Sequence, residues 1–300
     1  MDEWISWLME FPSLSRGELR GFRKSIDQGF REFTQQYGAG LESFFDPLLS
    51  FLIWSEKMLL AAPWPLVIGV IAALAWLGSR SMKIVTGVII SLLLIGYLGM
   101  WEDTMRTLSI ITVCTLVAIA IGIPLGIVMA RSNRLQAMIN PVLDVMQTMP
   151  SFVYLIPVVM LLGIGKVPGM MAVIIYALPP IVRLTNLGIR QVDSSVVEAA
   201  NAFGCTAWQK LVNVQLPLAL PSIFAGVNQT IMMSLSMVVI ASMIGVTGLG
   251  QPVLKAITNQ YFSLGLLNGL AIVAIAIIFD RVSQRYGLRL QKHRQGGHHV

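Results

Sequence analysis

Long apolar segments separated by short polar stretches set the pattern of this 300-residue chain. A helix needs about 17 to 25 predominantly apolar residues to cross the hydrocarbon core of a bilayer. The sequence predicts seven such spans, near 63–79, 84–100, 107–130, 150–166, 168–190, 217–246 and 264–281. The pattern is therefore typical of an all-α polytopic membrane protein.

The first 60 residues are less hydrophobic than the rest. Phenylalanine and leucine alternate with acidic residues and one lysine over 41–60, a mixture that favours an amphipathic helix lying in the membrane interface. No basic region followed by an apolar core and a small-residue cleavage site is found here, so we expect no cleavable signal peptide. Residues 1–40 receive no functional assignment.

Composition excludes an ordinary soluble domain. The chain is 55% hydrophobic and 12% charged, whereas soluble domains carry about 25% charged residues. The formal charge of +6 does not predict a nucleic-acid partner, because the basic residues near the C-terminus simply follow the last apolar span. They are Arg281, Arg285, Arg289, Lys292 and Arg294.

Catalytic and metal-binding patterns are missing from the sequence. Cys114 lies in an apolar span and Cys205 in a polar stretch, so a disulfide between them is not expected, and His293, His298 and His299 all lie in the tail. The run from Gly163 to Lys166 fails the phosphate-loop pattern, because Met160 and Val167 occupy its first-glycine and Ser/Thr positions. We therefore expect no enzyme activity, metal or cofactor in this chain.

A polar interruption from Ser195 to Pro217, called the elbow here, lies between two spans. Ser195 and Glu198 have the spacing of a capping box, and Gly204 can end the helix that this box begins. Thr206 and Gln209 repeat the spacing, and Pro217 is expected to bring the second helix toward its end. The elbow is thus predicted to be two short helices joined at a glycine.

The same residues resemble a known signature. Glu198-Ala199-Ala200, Gly204 and Val214-x-Leu216-Pro217 are similar to the E-A-A-x3-G-x9-I-x-L-P signature of bacterial ABC importer permeases, with valine in place of isoleucine. In that family the first short helix is a coupling helix that sits in a groove of a separate ATPase. The resemblance implies a type I ABC importer permease fold, with coupling by Glu198, Ala199, Ala200, Gly204, Leu216 and Pro217.

Further motifs resemble one branch of these permeases. Those at 143–157, 163–169, 177–180, 225–230 and 236–244 are similar to permeases for glycine betaine, proline betaine and choline. The resemblance covers about residues 45–290. It implies a homodimer in membrane lipid, an ABC ATPase that binds ATP and Mg, and a solute-binding protein.

The resemblance also suggests a division of the chain. The expected parts of the chain are an N-terminal tail with an interfacial helix (1–60), two transmembrane helices (61–106), a permease core (107–285) with the coupling elbow (195–217), and a basic tail (286–300). With the elbow in the cytoplasm, most basic residues that follow residue 60 lie on the cytoplasmic side. We therefore expect a bacterial inner-membrane protein with its N-terminus outside and its C-terminus in the cytoplasm.

Polar residues in the spans are candidates for a translocation pathway. They are Tyr154, Asn228, Thr230 and Ser234. Intramembrane polar groups usually face a bundle interior or a wet cavity, so hydrogen bonds between helices are an equal alternative for the residues of the sixth span. Pro157 and the Pro179-Pro180 pair favour interior helices near a pathway, although a structural kink explains each proline equally well.

The predicted function is a permease subunit that imports a quaternary-ammonium osmolyte by alternating access, driven by ATP hydrolysis on a partner. Three alternatives stay open: a permease for another small solute such as an amino acid, a stand-alone secondary transporter, and a membrane-anchored scaffold. Intramembrane carboxylates or an inverted repeat would favour a secondary transporter, and neither is evident from the sequence.

Overall fold

The computed structural model describes residues 13–295, with side chains to residue 287, and its regular secondary structure over that range is helical. The helices are α1 (Arg16–Ala61), α2 (Trp64–Ser79), α3 (Met82–Tyr97), α4 (Trp101–Arg131), α5 (Asn133–Thr148), α6 (Leu155–Leu162), α7 (Lys166–Arg190), α8 (Ser194–Ala202), α9 (Ala207–Lys210), α10 (Leu216–Ala241), α11 (Gly250–Asn259) and α12 (Phe262–Gln295). Short 3₁₀ segments at Ser151–Tyr154 and Ser242–Ile244 and a π turn at Leu211–Gln215 connect some of them.

Four helical segments are long and apolar enough to cross a membrane: α4, α7, the run Ala207–Ile244 that contains α10, and α12. They correspond to four of the predicted spans. Two bent pairs pass the same test only together, α1 with α2 at 113° and α5 with residues 151–162 at 110°, while α3 is apolar but shorter. The membrane fold is confirmed, and the number of seven spans stays a prediction.

Helix α1 is longer than the predicted interfacial helix. It has 46 residues and begins with a capping box between Ser15 and Glu18, so the helix extends well before residue 41. It packs against α4 and α6, and Leu52 near its end is 2% exposed. Its position in the membrane interface stays a prediction, and residues 1–12 lie outside the described range.

Helix α7 forms the centre of the bundle, between α4 and α10. Close approach on the α4 side depends on Gly122 and Gly126: a Cβ at Gly126 would lie 2.6 Å from the Thr185 Cβ and 2.7 Å from the Val182 carbonyl oxygen. On the other side, a Cβ at Gly188 would lie 2.7 Å from the Ser222 Cβ. Without a hydrophobic drive inside lipid, such close packing is a main source of helix association.

One carboxylate joins three helices at the end of the bundle opposite the elbow. Glu56 of α1 lies 2.5 Å from the Lys166 ammonium of α7 and 3.5 Å from the Arg106 guanidinium of α4. The Glu56 side chain is 15% exposed, so water screens these pairs only partly. Lys166, which belongs to the rejected phosphate-loop run, therefore contributes to a contact between helices.

Candidate functional site: the coupling elbow

Helix α8 is capped by a different residue from the one predicted. It begins at Ser194, and the Asp193 carboxylate accepts hydrogen bonds from the Ser195 backbone N–H at 2.9 Å and the Ser195 hydroxyl at 2.8 Å. The predicted capping box of Ser195 with Glu198 is wrong, because the carboxylate already takes both Ser195 donors. These hydrogen bonds hold the pKa of Asp193 below its ordinary value.

The second predicted capping box is confirmed. The Thr206 backbone N–H donates to Gln209 Oε1 at 2.9 Å, and the Gln209 N–H donates to Thr206 Oγ1 at 3.3 Å. Between the two short helices Gly204 has φ +74°, a left-handed conformation, as the turn requires. Lys210 Nζ donates to Asn201 Oδ1 at 2.9 Å. This bond joins the two arms of the elbow.

The second arm does not end near Pro217. Helix α9 passes through the π turn Leu211–Gln215 directly into α10, whose first turn contains Pro217. A proline is tolerated in the first turn of a helix, where its missing N–H costs little. The elbow therefore has a rigid connection to the long span that follows it.

Two arginines attach the elbow and its surroundings to the spans. Arg131, the last residue of α4, donates to the Ala207 carbonyl at 3.3 Å and lies 5.8 Å from the centre of the Trp208 ring. Arg190, the last residue of α7, donates to the Met129 carbonyl at 2.9 Å and to Asn133 Oδ1 at 2.7 Å. Arg131 thus joins the elbow to α4, and Arg190 joins the end of α7 to α4 and α5.

The outer surface of the elbow combines exposed apolar and acidic groups. Phe203 is 88% exposed, Trp208 65% and Val196 40%, and Glu198 and Ala199 are exposed beside them. Ala200 is buried at 7% exposure. Large exposed aromatic residues grouped in a small area are typical of a protein interface.

The predicted pathway residues lie in separate places. Thr230 and Ser234 are fully buried, and the Thr115 hydroxyl bonds Ser234 Oγ at 3.1 Å. Asn228 instead donates to Asp280 of α12 at 3.1 Å, and Ser283 donates to Asn228. These are bonds between helices, the alternative left open for this span, and a pathway role for these residues stays a prediction.

Tyr154 lies away from those three residues. It is 6% exposed, its hydroxyl donates to the Met146 carbonyl, and its ring lies 5.8 Å from that of Tyr176 in an edge-to-face contact. These contacts hold the 3₁₀ segment against α5 and α7. Its predicted place on the pathway is untested.

Residues 122–292 match the family described as "Binding-protein-dependent transport system inner membrane component". The chain belongs to this family. It is 51% identical over 77% of its length to the glycine betaine/proline betaine transport system permease protein ProW of Escherichia coli (strain K12), and 40% identical over 90% of its length to the glycine betaine transport system permease protein OpuAB of Bacillus subtilis (strain 168). The matches span 65% of ProW and 93% of OpuAB.

Solved structures agree on the fold. A chain of the MetNI methionine ABC transporter in inward-facing conformations superposes with a TM-score of 0.57 at 19% identity, over 62% of this chain and 93% of that chain. The predicted fold class, an all-α permease of the ABC importer type, is confirmed. The chain is therefore a multi-pass membrane protein.

The family match includes the elbow and helices α5 to α12. Helices α1 to α3 lie before it and join the permease core through Glu56 and the packing of α2 and α3 on α12. The sequence interpretation missed Asp280, whose carboxylate near the end of the last span accepts from Asn228 and Gln284. The sequence did contain a signal for this residue, a carboxylate near the end of a long apolar segment.

Proposed function

We propose that this permease is the membrane-spanning subunit of an ATP-driven importer for a quaternary-ammonium osmolyte such as glycine betaine, proline betaine or choline. The observation that carries the proposal is the elbow, two short capped helices with exposed aromatic residues that Arg131 attaches to the bundle. The substrate class is supported by the names of its relatives, which include permeases for glycine betaine.

In this proposal the chain forms the translocation pathway, and partner proteins supply ATP hydrolysis and substrate delivery. An ABC ATPase would bind ATP and Mg and receive α8, with Phe203 as the principal apolar contact. A solute-binding protein would deliver the substrate from outside. No cofactor belongs to this chain, and neither catalysis nor nucleic acid is part of its role.

A homodimer of permease chains completes the conduit. On α5 only Leu143 is buried, whereas Met138 is 70% exposed, Val142 57% and Val145 56%. Such an apolar face is covered by lipid or by a protein. We assign it to the second copy of the chain that the family resemblance implies.

Charge supports an elbow that faces the cytoplasm. Arg131, Arg190 and Lys210 gather around it, whereas Arg106 and Lys166 at the opposite end are paired with Glu56. An excess of basic residues is expected on the cytoplasmic side of a bacterial inner membrane. With the proposed seven spans, the N-terminus is outside and the C-terminus is in the cytoplasm.

Motion would pass from the elbow to the spans. When the ATPase pair closes on ATP, each α8 moves with it. Arg131 would pass the movement from the second arm of the elbow to α4, and Arg190 links α4 and α5 to α7. Because α10 continues from α9 through the π turn, it follows the same movement. The spans then alternate between two packed arrangements that open to opposite sides.

Purification of the tagged chain from its native membrane, followed by reconstitution in liposomes, tests the proposal. We expect a co-purifying ATPase and ATP-dependent uptake of labelled glycine betaine when the binding protein is added. A control without ATP should show no uptake. Uptake by the chain alone under an ion gradient would contradict the proposal, as would ATP-driven uptake of amino acids but not of quaternary amines.

A further inference from the structure

An ion pair at the surface of the bundle joins α7 to α5, about two helical turns from the elbow end of α7. Arg183 Nη2 of α7 donates to Asp144 Oδ1 of α5. Arg183 precedes Arg190, the end of the helix, by seven residues, which places it about 10 Å along the helix axis at 1.5 Å per residue. An ionisable residue within a membrane span is costly and usually marks a functional position.

A cavity of about 400 Å³ lies beside Arg183. It is lined by Gln147, Pro180, Arg183, Leu184, Asn186, Leu187 and Gln229, and Asp144 reaches it only through its contact with Arg183. Larger cavities of about 730 and 600 Å³, found elsewhere in the described residues, are lined mainly by apolar groups. The cavity around Arg183 is thus suited to a small, strongly polar ligand.

The pair leaves binding capacity unused. A guanidinium carries five N–H donors, and the contact with Asp144 uses Nη2, whereas the buried Nε of Arg183 has no partner among residues 13–287. The side chains of Arg183 and Asp144 are 36% and 62% exposed. Pairs this accessible to water are weak, so a ligand can separate the two groups at low cost.

The guanidinium of Arg183 matches the carboxylate end of a zwitterion, because a guanidinium binds a carboxylate through two parallel hydrogen bonds. A quaternary ammonium has no hydrogen to donate, so it needs no hydrogen-bond acceptor in the cavity. The amides of Gln147, Asn186 and Gln229 line the cavity without placing a second cation beside the ammonium.

We infer that the cavity beside Arg183 is a low-affinity subsite for a small zwitterion that carries a carboxylate and a quaternary ammonium. This inference rests on the proposed function and names where that substrate rests near the elbow side of the bundle. Arg183 holds the carboxylate, and the side-chain amides of Gln147, Asn186 and Gln229 line the rest of the polar surface. Weak binding suits this position, because a substrate held tightly there would not be released.

Cysteine alkylation in the purified permease–ATPase complex tests the subsite. The native cysteines are replaced by Cys114→Ala and Cys205→Ser, and Gln229→Cys in the cavity reports access of a water-soluble maleimide. Glycine betaine should slow the alkylation, whereas glycerol at equal concentration should not. Gln147→Cys, on the exposed part of α5, provides a second reporter.

Arg183→Gln should raise the half-protecting betaine concentration by about tenfold or more, the factor expected for a lost hydrogen bond between charged groups. Arg183→Lys should restore part of the protection. Lys166→Gln, which breaks the ion pair with Glu56 at the other end of α7, is the matched control and should leave the protection unchanged.

The outcomes separate the two claims. If the complex imports betaine and betaine alters alkylation at neither reporter, the subsite is overturned and the proposed function stands. Equal protection in wild type and Arg183→Gln overturns the role of Arg183. If the wild-type complex imports no quaternary ammonium, the proposed function fails, and the subsite fails with it.

Discussion

Gly204 shows how one residue shapes the elbow. Its φ of +74° is a conformation that residues with a Cβ adopt at a cost, yet nothing lies within 4 Å of where its Cβ would stand. A substitution there therefore changes backbone strain without creating a clash. A substitution at Gly204 therefore tests the backbone conformation of the turn and not its packing.

Gly204→Val should weaken the coupling to the ATPase, since a branched side chain in the left-handed region costs at least about 1 to 2 kcal/mol. The helices should still assemble, because the site has no packed neighbours. Gly204→Asn is the matched control, since asparagine tolerates this conformation well. The measurement is ATP-dependent uptake per ATP hydrolysed, and equal ratios in the two variants would contradict the assignment.

The residues that sequence reasoning located are those that act locally. Thr206 and Gln209 satisfy each other across three positions, so their box could be predicted from spacing alone. Asp193 was missed because two capping schemes compete for Ser195, and their balance depends on where the helix begins. The pair of Asp144 with Arg183 joins positions 39 apart, and residue order does not reveal such a contact.

At the scale of elements, helix spacing is set by small residues. Gly122 and Gly126, four positions apart on α4, lie directly against α7. Two glycines at this spacing in an apolar helix are a recognised signal for close helix packing, and the signal is present in the sequence. The partner helix, however, follows only from the three-dimensional structure.

Gly126→Ala should destabilise the bundle by about 1 to 3 kcal/mol, the usual cost of overpacking. Its new methyl group would lie 2.6 Å from the Thr185 Cβ and 2.7 Å from a backbone oxygen. Gly69→Ala in α2 is the control, since no atom lies within 4 Å of its Cβ position. The thermal midpoint in detergent at a fixed scan rate should fall for Gly126→Ala alone, and a fall of equal size in both variants would count against this packing.

The bent and broken elements were harder to predict than the long spans. The run 150–166 was expected to be a span, but it divides into a 3₁₀ segment and α6 and meets α5 at 110°. The apolar content of a segment predicts that it lies in lipid, but it does not predict the direction in which its helix runs. Pro217 was misread for a related reason, because proline is compatible with both a helix start and a helix end.

At the scale of the whole molecule, the two ends of the bundle are held differently. At the elbow end, backbone carbonyls and a side-chain amide accept hydrogen bonds from Arg131 and Arg190. At the other end, Glu56 pairs with two cations. The N-terminal helix is therefore held by an ionic contact at this end in addition to its apolar packing around Leu52.

Glu56→Gln should loosen the end of α1 by about 1 to 3 kcal/mol, because it removes a carboxylate that faces two partly buried cations. Hydrogen exchange of the backbone around residues 50–60 should become faster. Glu42→Gln on the exposed surface of the same helix is the control and should leave exchange unchanged. Unaltered exchange in Glu56→Gln would show that apolar contacts alone hold α1.

The Glu56–Lys166 contact also constrains the order in which the molecule is completed during synthesis. Its two members are 110 residues apart. At a translation rate of about 5 to 20 residues per second, the ribosome adds Lys166 roughly 5 to 22 s after Glu56. For that interval Glu56 must remain hydrated or pair with Arg106 alone. A newborn chain therefore completes the ionic contacts of its first helix only after Lys166 has been made, when the predicted spans at 168–190, 217–246 and 264–281 are still to follow.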